Sequence, residues 1–140
     1  NRAWSLEEAT TFCRGAGVEN IEFIEEPLRD SLELDAFGRV TQWPVALDET
    51  LWNFAPEAFV FPSSISAIVI KPTLVGGICR ALRWIARAKK ENKGVVISSA
   101  FESGVGSRML ANLAAFSPSA VMSFLSNLCC STGAKSTSKN

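Results

Sequence analysis

Short apolar runs alternate with helical patterns along this chain, and each run ends at a charged or polar residue. Runs of this length that are rich in valine and isoleucine are typical of buried strands. The sequence predicts four such strands, near residues 21–26, 45–49, 67–71 and 95–99. Because helical patterns separate them, we expect parallel strands joined by right-handed crossovers in an α/β fold.

Apolar residues at helical spacing predict the helices. Ser5 and Glu8 have the spacing of a capping box, which predicts a helix that begins there and ends near Arg14. Residues 51–62 have mixed periodicity around Pro56 and predict a short or broken helix. The apolar residues that indicate helices are Leu32, Leu34, Phe37 and Val40 in 29–40, and Met109, Leu110, Leu113 and Phe116 after 104. In the helix predicted over 74–90, Ile78, Leu82 and Ile85 are predicted to face inward.

The end of the chain departs from this alternation. We expect one domain over residues 1–117 and no further strand after Phe116. Residues 118–140 end in a polar, low-complexity run, which predicts a disordered tail. Four strands do not close a barrel, so the pattern alone leaves both a partial barrel and a doubly wound sheet open.

Composition narrows the possible functions. The 140 residues include 14 basic and 14 acidic side chains and no histidine. A neutral chain gives no electrostatic reason to expect nucleic acid or a membrane surface as a partner, and no apolar run is long enough to span a bilayer. Without histidine, acid–base chemistry is left to lysine, aspartate or glutamate. Cys13 and Cys79 are predicted to be buried thiols.

Three charged residues end successive predicted strands at equal intervals. Glu25, Asp48 and Lys71 are each 23 residues apart. The carboxyl ends of parallel strands meet at one edge, and strand alternation places these three side chains and Ser98 on one face, with Glu26 on the other. Two carboxylates presented by strands are suitable ligands for Mg²⁺, and a lysine beside them is suited to proton transfer.

A structural interpretation of the same residues stands beside this one. An acidic residue at a strand end more often caps a helix or is solvated. Asp48 has a position from which it can cap the following helix, and Lys71 is either exposed or an internal ion-pair partner. Three such residues in phase are less readily explained in this way, so the chain predicts a site at this edge.

The motifs at these strand ends resemble a known family. IEFIEEP, PVALDET, AIVIKPTLVGG and VVISSAFESGVG, in this order, are similar to the barrel of the enolase superfamily, in particular its o-succinylbenzoate synthase branch. The resemblance covers residues 1–116 and is strongest to the plant or algal form, which is part of a multidomain plastid protein. It implies a partial (β/α)8 TIM-type barrel of about four βα units, as in the C-terminal domain of enolases.

The resemblance also implies roles for individual residues. Glu25 and Asp48 match two of three Mg²⁺ ligands, and Lys71 matches a lysine that lies across the substrate ring in a cation–π contact. Ser98 and Ser99 match residues that hold the substrate carboxylate. The implied reaction is the elimination of water from a small carboxylate to give o-succinylbenzoate, in menaquinone and phylloquinone biosynthesis. A chloroplast location is implied by the plant form, and a cytoplasmic one otherwise.

Two parts of the family pattern are not found in this sequence. The first metal ligand of the family would lie just before Asn1, and the Lys-x-Lys segment that carries the acid–base lysine is absent. We therefore expect the isolated chain to be inactive. Two alternatives remain: a dipeptide epimerase or N-acylamino acid racemase that uses Lys71 as a second base, and a non-catalytic half-barrel that associates with itself or with other domains through its open edges.

Overall fold

Residues 2–17 and 21–115, and the backbone of residues 120–123, are described by a computed structural model. The strands are β1 (Ile24–Glu25), β2 (Val45–Leu47), β3 (Ile65–Ile70), β4 (Gly94–Ser98) and β5 (Ala120–Ser123). The helices are α1 (Leu6–Gly15), α2 (Leu34–Thr41), α3 (Ile78–Lys90) and α4 (Gly104–Ala115). The strands pair in chain order in one sheet, and every pairing is parallel. The predicted α/β fold is confirmed, and all carboxyl strand ends lie at one edge.

The two faces of the sheet bury side chains of different size. Large aliphatic residues of the strands pack against the helices in one cluster, which includes Leu47, Ile68, Ile97 and Trp84. The opposite face carries a separate cluster of small residues: Ala46, Ala67, Val69 and Val96, with Phe23 packed against them. Because successive strand residues alternate between faces, Asp48 and Lys71 continue the second face beyond the strand ends.

The predicted capping box opens α1. The Ser5 hydroxyl accepts a hydrogen bond from the Glu8 backbone N–H at 3.3 Å, and the Ser5 N–H donates to Glu8 Oε2 at 2.7 Å. These two bonds satisfy donors that would otherwise be free at the first turn. Cys13, near the end of this helix, is buried as predicted.

The connection from β2 to β3 contains a five-residue 3-10 turn, Glu49–Asn53, and no α-helix. The rest of the connection is held by arginines of α3: Arg80 donates to the Phe54 carbonyl at 2.7 Å and Arg87 to the Phe59 carbonyl at 2.9 Å. The predicted broken helix over 51–62 is therefore confirmed only in its first residues.

Across the described residues, no helix is long and apolar enough to cross a membrane.

Helix α3 differs from its prediction in start and in orientation. It begins at Ile78 because residues 72–76 form a turn, in which Gly76 has a φ of +101°. The prediction of an inward-facing Leu82 is wrong, since that side chain is 46% exposed, and Cys79 is also exposed. The buried residues of α3 are Ala81, Trp84, Ile85 and Ala88. Small alanines on this face allow the helix to approach the sheet closely.

The apolar residues that indicated the other helices are not all buried. Leu32, Val40 and Met109 are exposed. Their neighbours Leu34, Phe37, Leu110 and Leu113 are buried. Apolar spacing thus identified these helices but included residues beyond the edge of the buried stripe. Phe116 lies outside the described residues.

A fifth strand follows α4, and the prediction of no further strand after Phe116 is wrong. β5 pairs with β4 in parallel register from Val95 and Ala120 to Ser98 and Ser123. Its four residues, Ala-Val-Met-Ser, are too few for a sequence pattern to separate from loop. Residues 118, 119 and 124–140 lie outside the described part of the chain, so the disorder expected for this tail stays a prediction.

Gly38 of α2 gives a test of helix-to-sheet packing. A Cβ at this position would lie 2.4 Å from the Cβ of Ser64, which precedes β3. Alanine normally stabilises a helix by about 1 kcal/mol relative to glycine. Because of this clash, we instead expect Gly38→Ala to lower the free energy of unfolding by about 1–3 kcal/mol in chemical denaturation.

Gly15→Ala is the matched control for that substitution. No atom lies within 4 Å of a Cβ at Gly15, so alanine there is expected to be neutral or stabilising. Equal effects of the two substitutions would contradict the close approach of Gly38 and Ser64.

Candidate active site at the carboxyl edge of the sheet

The carboxyl edge brings together the charged residues that end the first three strands. Glu25 is the last residue of β1, Asp48 follows β2, and Lys71 follows β3. The Lys71 ammonium donates a short hydrogen bond to Asp48 Oδ2 and lies 3.7 Å from Glu25 Oε1. The Asp48 side chain is fully buried, whereas those of Lys71 and Glu25 are 16% and 21% exposed. The site therefore has a buried floor and an accessible mouth.

The surroundings disfavour the charged form of Asp48 and favour the charged form of Lys71, because they raise the pKa of both groups. Burial raises the pKa of the Asp48 carboxyl to about 6, against the hydrogen bond and the charge of Lys71. Burial by itself would lower the pKa of Lys71, but the Asp48 hydrogen bond and the nearby negative charges raise it above its usual value. Lys71 consequently keeps its proton at neutral pH, and it is an internal ion-pair partner.

One oxygen of this cluster is unused. Asp48 Oδ1 is buried and has no hydrogen-bond partner among the described residues, and the Asp48 side chain does not cap the 3-10 turn that follows. The alternative that Asp48 is a helix cap is therefore wrong. A buried acceptor without a partner is unfavourable unless a ligand satisfies it.

The donor set fits a hard divalent cation in part. Glu25 and Asp48 supply carboxylate oxygens from rigid strand ends, and Mg²⁺ is commonly held by one or two carboxylates while it keeps several waters. No group of three or more acidic, cysteine or histidine side chains in the described ranges has the arrangement of a metal site. Further ligands would have to be water, substrate or residues outside those ranges.

Ser98, the last residue of β4, and Ser99, which follows it, have different hydrogen-bonding surroundings. The Ser98 hydroxyl is buried and unpartnered among the residues that the structure describes. The Ser99 hydroxyl donates instead to Glu102 Oε2. Ser98 is thus the serine with hydrogen-bonding capacity left for a ligand, and Ser99 belongs to the loop.

Sequence reasoning placed Glu26 on the opposite face from Glu25 but did not find what it does there. Its side chain is fully buried and accepts hydrogen bonds from Arg2, Thr50 and the Asp48 backbone. The only local signal was a charge directly after an apolar run and before Pro27. Its partners lie more than 20 residues away, so no local pattern indicated them.

Glu102 was also missed as a bridge between two loops at this edge. Its carboxylate accepts hydrogen bonds from Thr73, in the loop after β3, and from Ser99 and the Ala100 backbone, in the loop after β4. Burial alone would raise the pKa of Glu102, but these hydrogen bonds lower it below its usual 4.5. The ionised carboxylate therefore holds the two loops together.

Glu102→Gln is expected to lower the free energy of unfolding by about 1 kcal/mol at neutral pH. Because the folded-state pKa is depressed, the carboxylate stabilises the fold above pH 4.5 and loses this effect as the pH falls through its folded value. Thermal melts should show a difference from wild type at pH 7 that disappears in acid. Glu22→Gln, at an exposed position, serves as the control, and a pH-independent effect of Glu102→Gln would contradict this account.

Parallel strands that present two acids and a lysine at their carboxyl edge have the arrangement in which α/β-barrel enzymes place their functional residues. Residues 1–127 match the family described as Enolase C-terminal domain-like. The chain belongs to this family, which confirms the predicted fold and family.

Within this family, the chain is similar to o-succinylbenzoate synthases and to a plant protein. It is 39% identical over 112 residues to Protein PHYLLO, chloroplastic, of Arabidopsis thaliana, covering 76% of this chain and 6% of that protein. It is 37% identical over 119 residues to o-succinylbenzoate synthase of Klebsiella pneumoniae, covering 83% of this chain and 37% of that enzyme. The chain thus spans little more than a third of this bacterial relative and a small part of the plant protein.

Solved structures agree with this family. MenC from Desulfotalea psychrophila has a TM-score of 0.78 at 25% identity, and the match covers 98% of this chain and 40% of the MenC chain. A dipeptide epimerase from Cytophaga hutchinsonii, complexed with Mg and the dipeptide D-Ala-L-Val, has a TM-score of 0.79 at 26% identity, with 89% and 35% covered.

Proposed function

We propose that this chain is part of a Mg²⁺-dependent lyase of the o-succinylbenzoate synthase type, which removes water from a small carboxylate substrate in menaquinone or phylloquinone biosynthesis. The observation that carries the proposal is the convergence of Glu25, Asp48 and Lys71 at one strand edge, with Asp48 Oδ1 left unpartnered among the described residues. The similarity to o-succinylbenzoate synthases supports the substrate class. The chloroplastic relative supports a plastid location.

Each residue has a role in this proposal. Glu25 and Asp48 would hold Mg²⁺, and the ion would supply positive charge to offset the negative charge that develops on the substrate carboxylate. Lys71 remains protonated and lies across the substrate ring, where its charge stabilises the same electron density. Ser98, whose hydroxyl has no partner among the described residues, donates to the substrate carboxylate, and Ser99 supports the loop through Glu102.

A dipeptide epimerase is the second candidate, because the solved structure of the Cytophaga hutchinsonii epimerase is as similar to this chain as that of MenC. In that reaction, or in an N-acylamino acid racemase, Lys71 would act as a second base. The ion pair of Lys71 with Asp48 and its 3.7 Å distance to Glu25 support the lyase role, in which Lys71 acts as a fixed positive charge.

Paramagnetic Mn²⁺ tests the metal site directly. We expect added Mn²⁺ to broaden the backbone amide NMR signals of Glu25, Asp48 and Lys71, and to spare those of Ser64 and Gly94 at the amino ends of the strands. In a separate sample with diamagnetic Mg²⁺, addition of o-succinylbenzoate should shift the Ser98 amide signal, whereas a dipeptide should not. Broadening at both edges, or at neither, would contradict the proposed site.

The isolated chain is expected to show no measurable dehydration of the small carboxylate that gives o-succinylbenzoate. Two carboxylates bind Mg²⁺ weakly, and the sequence contains no Lys-x-Lys segment to take up the proton. An absorbance assay for o-succinylbenzoate formation, with the Klebsiella pneumoniae enzyme as positive control, measures this. Efficient turnover by the 140-residue chain alone would contradict the assignment of the base to a missing segment.

A further inference from the structure

Glu26 is the most highly bonded carboxylate at the carboxyl edge of the sheet. Oε1 accepts from the Arg2 guanidinium at 3.0 and 3.2 Å and from the Thr50 hydroxyl. Oε2 accepts from the Asp48 backbone N–H at 2.9 Å. The side chain is fully buried. Hydrogen bonds to a carboxylate are stronger in the protein interior than in water, because the local dielectric constant is lower.

The backbone of Glu26 is tied to the same neighbours. Its N–H donates to the Ala46 carbonyl of β2 at 3.0 Å, and its carbonyl accepts from the Arg2 N–H at 2.6 Å. Its φ of +38° lies in the left-handed region, which a residue other than glycine adopts only when its surroundings impose it. Side chain and backbone together join the end of β1, the end of β2 and the segment before α1.

This position links Glu26 to both proposed metal ligands. Glu25 precedes it in the chain, and the Asp48 amide is bonded to its carboxylate. A shift of Glu26 would therefore move the two carboxylates relative to each other. Metal affinity is sensitive to such a shift, because ligands must be held at fixed separations before the ion binds.

We propose that Glu26 is the positioning residue of this site, which fixes Asp48 relative to Glu25 without itself contacting metal or substrate. The inference rests on the proposed metal site for its functional meaning. The geometry on which it depends is present in the chain alone, so it has a readout that needs no metal.

Glu26→Gln is the informative variant because it keeps the shape and removes one acceptor. The four donor contacts are divided between two oxygens, and an amide has only one oxygen. If that oxygen faces Arg2 and Thr50, the new NH₂ meets the Asp48 N–H; if it faces Asp48, the NH₂ meets the guanidinium. Either orientation loses part of the network.

Two measurements on the full chain test the proposal. Hydrogen exchange of the Asp48 amide, measured without metal, should be at least about 10-fold faster in Glu26→Gln than in wild type. The Kd for Mn²⁺, measured by water-proton relaxation, should rise about 10-fold or more, as for other residues that orient metal ligands. Asp35→Asn is the matched control: it removes a carboxylate that accepts from Ser64 at 3.0 Å at the opposite end of the strands, and it should change neither value.

The outcomes separate this inference from the proposed function. A folded Glu26→Gln with unchanged Asp48 exchange or unchanged Mn²⁺ affinity would overturn the positioning role, as would an equal loss of affinity in Asp35→Asn. If wild type binds no Mn²⁺, the proposed function fails, and Asp48 exchange still decides whether Glu26 holds Asp48. If Glu26→Gln does not fold, Thr50→Val removes a single donor and should weaken Mn²⁺ binding to a smaller degree; no change in that variant would overturn the proposal.

Discussion

Asp48→Asn is expected to remove most of the affinity of the chain for Mn²⁺, with a Kd raised by at least about 10-fold. Asparagine has the shape of aspartate but lacks the charge, and it replaces one of the two oxygens with a donor that cannot bind a cation. The substitution changes both oxygens of Asp48: Oδ1, which has no hydrogen-bond partner among the described residues, and Oδ2, which accepts from Lys71. Water-proton relaxation measures the loss.

Stability should respond differently to the same substitution. Burial holds the pKa of Asp48 near 6, above its usual 3.8, so the ionised form is less favourable in the folded chain than in the unfolded one at neutral pH. This raised pKa is the net result of burial and of the ion pair with Lys71, so a neutral asparagine is not expected to destabilise the fold. We therefore expect the thermal midpoint at pH 7 to stay close to that of wild type.

Glu22→Gln is the control for the Asp48 result. Glu22 precedes β1, is exposed, and should contribute nothing to metal binding. Equal losses of Mn²⁺ affinity in the two variants would mean that the ion binds general surface charge. Retained affinity in folded Asp48→Asn would exclude Asp48 as a ligand.

Trp84→Ala is expected to have the largest effect on stability. The Trp84 side chain is fully buried in α3, and its ring packs edge-on against Phe59 and Phe61 at centroid distances of 5.4 and 6.4 Å. Large-to-small substitutions of buried aromatic residues lower the free energy of unfolding by about 3–5 kcal/mol. Since domains of this kind are stable by about 5–15 kcal/mol, this loss is a large share of the total, and both chemical and thermal denaturation should show it.

Two further variants define the origin of that effect. Trp84→Phe should be much milder, because Nε1 is buried without a partner among the described residues and phenylalanine removes this unsatisfied donor. Leu82→Ala, on the exposed side of the same helix, should change stability by no more than about 0.5 kcal/mol. A larger loss at Leu82 than at Trp84 would mean that α3 packs with the face that hydrophobicity alone predicted.

Comparison of α3 with the strands shows where sequence patterns were sufficient. Short apolar runs identified β2, β3 and β4, because a buried parallel strand needs continuous apolar residues and these lie within a few positions of one another. In α3, Leu82 is more hydrophobic than Ala81, yet Ala81 faces the sheet. Fit at the interface decides such a choice, and hydrophobicity does not measure it.

The same distinction applies at the site. The carboxyl ends of parallel strands had to share one edge, so Glu25, Asp48 and Lys71 were expected to lie close together from strand order alone, and the structure places them so. The hydrogen bonds of Glu26 were not expected, nor was the difference between Ser99, which donates to Glu102, and Ser98, which has no side-chain partner among the described residues.

The sequence by itself determined the alternation of strands and helices, the face on which each strand-end charge lies, and the family. These properties are encoded within short stretches, by the two-residue period of strands and by the residues next to each strand end. Only the tertiary structure decided which helical stripe is buried, that a fifth strand completes the described sheet, and that Glu26 holds Asp48. These depend on groups that are brought together across more than 20 residues, where no local period carries information about the partner.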